Sequence, residues 1–490
     1  MIDVIQRSGV MYGRHAAAIF VALIAYPFLF PRTALANETG DENSRMNIVL
    51  FLIDDLGWRD LTCQGSDFYQ TPNIDRLAEE GVRFTNAYAA CAVCSPTRAA
   101  IMTGKYPARL MLTEWLPSGR WNPYSKLKSG RYLRSLPSEE VTLAEALQDA
   151  GYQTGHVGKW HLGDDVFSSP IHHGFDWNAG GNPHGAPGSY FFPYRGNWLV
   201  PKTKQRAKWE VFVDGVEGEY LTDRLTSEAV KFITDHQADS FFLHFSHYGV
   251  HTPLQAKESM VAKYQDVAKS DRQGSPVYAA MVESIDQSVG RVVKTLQDLA
   301  LEDNTVILFT SDNGGFYKAT NNSPLRANKG AYYEGGIRVP LIVKWPGKSK
   351  PGRVLRDPVT STDLYPTCLA MAGIPQKPHQ HLDGLNLESV IGGQGNLPTR
   401  SLFWHYPHYN SHPSSVPSSV IRRGDWKLIE TYDPEGVELY HLGQDLSESR
   451  SLVSKHPGRV KEMLQELSEW RVSVKAETMD ANPDYDPSKL

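Results

Sequence analysis

The run CAVCSPTRAAIMTGKYP, from Cys91 to Pro107, sets two cysteines three residues apart and follows the second with Pro96, Arg98 and a helix-like stretch. Three chemistries use such an arrangement: a thiol–disulfide pair, half of a metal site, or a nucleophile on the turn before a helix. The chain has four cysteines, Cys63, Cys91, Cys94 and Cys368, and an even count invites disulfides if the protein is exported. A zinc site is disfavoured, because no second CxxC accompanies the first. Neither a redox pair nor a zinc half-site explains the proline and the arginine.

A second group of residues carries oxygen ligands. Asp54 and Asp55 follow the apolar run NIVLFLI, and Asp312 and Asn313 follow TVILFT. Singly, each has a bland reading, since Asp and Asn commonly end strands and start turns. Together, three carboxylates and an amide at two strand ends make a hard donor set that suits calcium or magnesium far better than zinc. Cations and imidazoles come next. GKWHLG places Lys159 and His161 two residues apart, on one side of an extended segment. SHYGVHTP carries His247 and His251, and the glycine-rich NKGAYYEGGIRVP carries Lys329. A lone histidine or lysine is usually structural. Gathered with Arg98 beside a carboxylate-bound cation, they describe a pocket for a tetrahedral oxyanion, phosphate or sulfate.

C-S-P-T-R at 94–98 resembles the C-x-P-x-R signature of the type I sulfatases, in which the cysteine is oxidised to formylglycine. GKWHLG, TSDNGG, NKGAYYEGGIRVP and GDWKL also resemble motifs of that family, in its order, over residues 46 to about 450. Thr97 departs from the more usual serine, while Cys94, Pro96 and Arg98 are intact. The resemblance implies an alkaline-phosphatase-like fold and hydrolysis of sulfate esters by one hydroxyl of the hydrated aldehyde at position 94. It favours calcium over magnesium, with position 94 joining Asp54, Asp55, Asp312 and Asn313 at the metal. It also implies that His251 with Lys329 protonates the leaving alcohol and that His161 takes a proton from the second hydroxyl, whose collapse expels sulfate. Arg98 and Lys159 would hold the position-94 group and the sulfate oxygens. A formylglycine-generating enzyme is then an obligatory partner in maturation.

The elements that position these residues are legible as patterns. NIVLFLI (47–53), FFLHF (241–245) and TVILFT (305–310) are continuous apolar runs, as in parallel strands buried on both faces. TLAEALQDAG has Thr142 and Glu145 in capping-box spacing and stops at Gly151. Val282, Ile285, Val289, Val292, Val293, Leu296 and Leu299 make one helical face. Strands alternating with helices predict an α/β fold with a mainly parallel central sheet flanked by helices, here assigned to 46–390. After a glycine-rich joint at 391–400, SVIRRGDWKLIETY and GVELYHL read as two β-rich runs divided by a turn at 433–436. A helix from about Pro457 to Trp470 completes a smaller α+β domain at 400–475, and the tail ETMDANPDYDPSKL reads as loose.

Composition bounds the function classes. At 490 residues with 41% hydrophobic and 21% charged content, the chain is an ordinary globular one, long enough for two domains. A formal charge of −5 gives no overall basic surface for nucleic acid. Arg7 and Arg14 before AAAIFVALIAYPFLF, then Ala34, Leu35 and Ala36, read as a signal peptide over 1–36. That predicts a periplasmic or secreted protein with no stable membrane insertion after cleavage. Aromatic and polar loops at 115–132, 172–198 and 403–412 suit sugars, so a sulfated carbohydrate is the expected substrate, with His184, His405 and His408 as candidate contacts. The rival readings are a formylglycine-dependent phosphodiesterase or phosphonate hydrolase of the same fold, and a sulfated-glycan-binding protein without turnover.

Overall fold

Every residue of β1 (Asn47–Ile53) is buried, as its unbroken apolar run requires. The computed structural model describes residues 45–116, 122–163, 168–199 and 206–490, so the expected leader at 1–36 lies outside the described residues. In chain order follow β2 (Val82–Tyr88), β3 (Gln153–Gly158), β4 (Trp177–Ala179), β5 (Gly196–Leu199), β6 (Arg206–Trp209), β7 (Phe241–Ser246), β8 (Thr305–Ser311), β9 (Arg338–Lys344), β10 (Arg353–Leu355) and β11 (Val359–Thr360). All but the β5–β6 pair join one nine-stranded sheet in the order β10-β2-β9-β8-β1-β7-β3-β4, with β11 also on β2. Its centre, from β8 to β4, is parallel, while β9 runs antiparallel to both β8 and β2.

Register is what builds the site. Ile53 pairs with Ser311, Leu52 with Ser246, and Ser246 with Gly158. Asp54, Asp312, His247 and Lys159 therefore leave the sheet at the same carboxyl edge, where open α/β sheets bind their ligands.

Helices cover both faces: α1 (Pro72–Glu80), α2 (Cys94–Thr103), α3 (Leu143–Gln148), α4 (Leu221–Asp235), α5 (Glu258–Gln265), α6 (Pro276–Asp298), α7 (Glu334–Ile337), α8 (Leu364–Met371) and α9 (Glu388–Ile391). The two-residue period of β1 splits its side chains between two cores. Val49, Phe51 and Ile53 pack with Leu77 of α1, Phe232 of α4 and Ile285 and Val289 of α6. Ile48, Leu50 and Leu52 pack with Ile101 of α2, Leu147 of α3 and Leu369 of α8. Each such side chain contributes about 1.5–3 kcal/mol by leaving water. In α3 the capping box forms: Thr142 Oγ1 accepts the Glu145 N–H, and Glu145 Oε2 accepts the Thr142 N–H at 2.7 Å. On α6, Val282, Ile285, Val289, Val292 and Leu296 are fully buried, and Val293 and Leu299 flank them half-buried.

The C-terminal part is a four-stranded antiparallel sheet, β12 (Ser401–Tyr406), β13 (Ser418–Arg423), β14 (Trp426–Tyr432) and β15 (Glu435–His441) in that order, with α10 (Pro457–Ser473) against it. Met463, Leu467 and Trp470 of α10 meet Ile421, Leu428 and Leu439. SVIRRGDWKLIETY is not one run. It turns at Gly424 (φ +59°), a left-handed position that glycine adopts without strain, so that Arg423 pairs with Trp426. The tail is not loose either. Lys128 donates its N–H to Asp480 O at 2.8 Å, and the buried Asn482 donates through Nδ2 to Pro123 O and Ser125 O at 2.8 and 2.7 Å. Local composition pointed to a loop, but the carbonyls of Pro123 and of the buried Ser125 find their donor in the tail. No helix among the described residues is long and apolar enough to cross a membrane.

Candidate active site

Cys94 is the first residue of α2, a helix in which every residue is buried, so the helix N-terminus aims its partial positive charge at that side chain. Arg98, one turn on, fastens α2 to three strand ends. Its Nε lies 2.9 Å from Asp312 Oδ2 after β8, and its Nη1 donates to Lys159 O after β3 at 2.9 Å and to Ser246 Oγ of β7 at 2.6 Å. Thr97 Oγ1 accepts the Cys91 N–H at 3.0 Å and faces Cys91 O. A serine hydroxyl can do the same, so the departure at position 97 preserves the turn. Cys91 and Cys94 are both free thiols; Cys91 Sγ lies 2.9 Å from Tyr332 OH, while Cys94 Sγ faces Lys329 Nζ at 3.5 Å.

Three carboxylates and three cations interlock around Cys94. Lys159 Nζ pairs with Asp54 Oδ2 at 2.7 Å, Lys329 Nζ with Asp55 Oδ1 at 2.5 Å, and Arg98 with Asp312. Asn313 Nδ2 donates to Asp55 Oδ1 at 2.8 Å, and His251 Nε2 is 3.7 Å from Asp55 Oδ2. All are buried except His251, whose side chain is 19% exposed and marks the way in from solvent. Asp55 (φ +63°) and His161 (φ +61°) both occupy the left-handed region, which non-glycine residues seldom adopt and which concentrates at working sites.

The donor set fits a hard divalent cation. One ligand atom each from Asp54, Asp55, Cys94 and His251 lies within 4.8 Å of the others. Asp54 Oδ1 and Asn313 Oδ1 are buried oxygens that accept no hydrogen bond among the described residues. Asp312 is already engaged, with Oδ2 on Arg98 and Oδ1 accepting the Asp55 N–H at 3.2 Å, so it reaches a cation only through its remaining lone pairs.

Electrostatics follow from burial and these pairs. Burial, with Asp312 and Asp55 close by, pushes the Asp54 carboxyl well above the usual carboxylate range despite Lys159. Burial acts on Asp55 in the same sense, but Lys329, His251 and Lys159 outweigh it and hold the group below that range. Burial opposes charge on Lys329, and Asp55, with Cys94 beside it, overrides this and keeps the ammonium charged. Burial raises the Cys94 thiol, which Lys159 and Lys329 only partly offset. Burial and then Lys159 push His161 far down, and burial and then Lys329 take His251 to about 3.

The other histidines separate. His184 stacks on Trp209, with ring centroids 4.2 Å apart, and its neighbour Gly185 lies so near His161 that a Cβ there would sit 2.4 Å from Cε1. His247 is core, its ring against Phe245 and its Nε2 3.3 Å from Ser288 Oγ. His405 and His408 are corrections, since neither side chain offers a surface to a substrate. His405 is 5% exposed and spends its nitrogens on Ser419 Oγ and Glu477 O; His408 is fully buried, with Nε2 2.8 Å from Thr113 Oγ1. Sequence reasoning missed Ser246 and the segment 113–116. Ser246 carried a signal, as the polar last residue of an apolar strand. Leu116 carried none, because it acts through its backbone: its N–H donates to Ser95 Oγ at 3.1 Å and its carbonyl faces His161 Nε2.

Comparison with known proteins agrees with this geometry. The sulfatase family model matches residues 46–374, and that of the N-sulphoglucosamine sulphohydrolase C-terminal region matches 327–474. The chain is 33% identical to a sulfatase of Formosa agariphila over 91% of its own length and 92% of the relative's. It is 35% identical to human N-acetylgalactosamine-6-sulfatase, covering 73% of this chain and 68% of that one. Among solved structures, Ps i-CgsB in complex with k-i-k-neocarrahexaose superposes with a TM-score of 0.72 at 32% identity, over 87% of this chain and 92% of that one. A phosphonate monoester hydrolase of Agrobacterium radiobacter, with a TM-score of 0.63 at 19% identity over 88% of this chain and 96% of that one, shares the fold alone. With its family model spanning most of the chain and the motifs that carry Cys94, Lys159, Asp312 and Lys329 meeting in one site, this chain belongs to the sulfatase family, the sulfuric ester hydrolases of the alkaline-phosphatase-like superfamily.

Proposed function

We propose that this protein hydrolyses O-sulfate esters on sulfated carbohydrates, with Cys94 converted to formylglycine and one calcium ion held by Asp54, Asp55, Asp312, Asn313 and position 94. The observation that carries the reading is the place of Cys94: at a helix N-terminus, 3.5 Å from Lys329 Nζ and among the oxygens of Asp54 and Asp55. Relatives named for N-acetylgalactosamine-6-sulfate and a structural neighbour solved with a neocarrahexaose support a sugar substrate. The leader-like start of the sequence supports export, and the intact Cys94, Pro96 and Arg98 support maturation by a formylglycine-generating enzyme.

When present, the cation supplies Lewis acidity toward a sulfate oxygen and the hydrated aldehyde supplies the attacking hydroxyl. The chain's own groups do the rest. Three carboxylates against three cations leave the protein part of the site near neutral, so a bound dication makes it positive and selects an anionic ester. Lys159 and Lys329, fixed by Asp54 and Asp55, present ammonium groups to the sulfate oxygens. His251 donates Nδ1–H to Thr252 O at 2.8 Å, so its Nε2 is bare in the neutral ring and passes to the leaving alcohol a proton that the charged Lys329 supplies. His161 is the base.

The test is expression with a formylglycine-generating enzyme, mass spectrometry of the peptide containing residue 94, and turnover of a panel of sulfated mono- and disaccharides beside a phosphate diester. An aldehyde at position 94 and a preferred sugar sulfate are expected. An active preparation with only thiol or disulfide at position 94, or higher efficiency on the diester than on every sugar sulfate, overturns the proposal.

A further inference from the structure

We infer that Ser95 is a positioning residue which, through the backbone of Leu116, sets the nitrogen of His161 that is free to take a proton. This rests on His161 being the base, and it adds how the base is aimed. A carbonyl oxygen only accepts, so the contact of His161 Nε2 with Leu116 O requires the proton on Nε2. In a neutral imidazole Nδ1 is then bare. His161 is 2% exposed, and its Nδ1 has no hydrogen-bond partner among the described residues. A buried acceptor nitrogen left open in this way is ready to receive a proton from a neighbouring group.

What holds Leu116 O in place is therefore what holds the tautomer. The Leu116 N–H donates to Ser95 Oγ at 3.1 Å, and Ser95 directly follows Cys94 in α2. The backbone of this one residue, through its N–H on one side and its carbonyl on the other, thus ties the imidazole to the helix that carries position 94. Upstream, the segment is anchored independently: Thr113 Oγ1 meets His408 Nε2 at 2.8 Å, and Tyr406 OH donates to Glu114 Oε1 at 2.7 Å. Those struts fix the segment to the C-terminal sheet, whereas the Ser95 bond registers it to the nucleophile's helix. On its other side the His161 ring abuts Gly185, where even a Cβ would lie 2.4 Å away.

Ser95→Ala and Ser95→Thr in the full-length, matured protein test this. Side-chain ¹⁵N NMR of histidine-labelled protein, with His161 assigned through His161→Gln, reads the tautomer directly. The wild type and Ser95→Thr should show His161 protonated at Nε2 alone, and Ser95→Ala a mixture of tautomers. With formylglycine content measured by mass spectrometry and used to normalise rates, kcat of Ser95→Ala should fall about tenfold or more, a part of the roughly 10²–10⁴-fold that general base catalysis is worth, since a mixture of tautomers keeps some of the base in its working form. KM should change by less than about twofold, and Ser95→Thr should restore kcat. A single Nε2–H signature in Ser95→Ala, or a kcat loss that Ser95→Thr does not recover, overturns the inference. If His161→Gln turns over as fast as the wild type, the base assignment fails instead, a result distinct from the NMR reading.

Discussion

Lys159 Nζ sits 2.7 Å from Asp54 Oδ2 with both side chains fully buried, and Asp54 Oδ1 beside it accepts no hydrogen bond among the described residues. A buried carboxylate half satisfied by one ammonium bears a desolvation cost that the pair alone does not repay. Burial duly raises Asp54 well above the usual range, and a dication on Oδ1 would reverse that. Chelation should therefore abolish turnover, calcium should restore it, and the melting temperature should drop on metal removal, because a ligand bound only by the native state stabilises it. Asp54→Ala should lose both metal and activity. Elemental analysis finding neither calcium nor magnesium in active protein would refute the assignment.

His251 separates the chemistry of the leaving group from that of attack. An alkyl alcohol needs protonation to leave near neutral pH, and a nitrophenol hardly does. His251→Ala should therefore damage hydrolysis of a sugar sulfate far more than that of nitrophenyl sulfate, by a margin of about 10²–10⁴-fold. Asp54→Ala, which removes charge stabilisation common to both substrates, should depress the two alike. Equal losses in His251→Ala would take that residue out of the acid role.

The parts of this molecule that were legible in the sequence are those where one residue type has one physical use. β1, β7 and β8 announce themselves because a strand covered on both faces must be apolar throughout, and the polar residues just past them mark the sheet edge. His405 and His408 misled because histidine composition says nothing of direction. Both turn inward to hydroxyls and a carbonyl and brace neighbouring segments. Leu116 was beyond reach, since a backbone contact leaves no trace in side-chain identity.

Glu114 gives a pH-dependent stability that can be isolated. Burial pushes its carboxyl up to about 8 from an ordinary 4.5, although the Tyr406 hydroxyl and the Trp115 N–H both donate to it. The folded chain therefore holds a proton that the unfolded chain releases, and folding is favoured least where that proton must be given up. The contribution is fully present below pH 4.5 and is lost as pH rises to about 8. Glu114→Gln, neutral at every pH, should melt above the wild type in alkaline buffer, with the gap closing toward acid. Parallel melting curves across that range would show that Glu114 ionises as an exposed carboxyl does.

The tail supplies the last test, because its docking runs against its composition. Asn482 Nδ2 serves two backbone carbonyls, Pro123 O and Ser125 O, while Glu477 O accepts from His405 Nε2 and Asp480 O from the Lys128 N–H. Removing residues 477–490 strips these partners at once and leaves His405, which is 5% exposed, without its carbonyl. Each buried polar group left unpaired costs about 1–3 kcal/mol, so the truncated chain should show a clearly lower denaturation midpoint. Asn482→Ala should lose part of that stability and Asn482→Asp much of it, because a carboxylate cannot donate to either carbonyl. An unchanged midpoint in the truncated chain would mean that water serves residues 123–125 as well as the tail does.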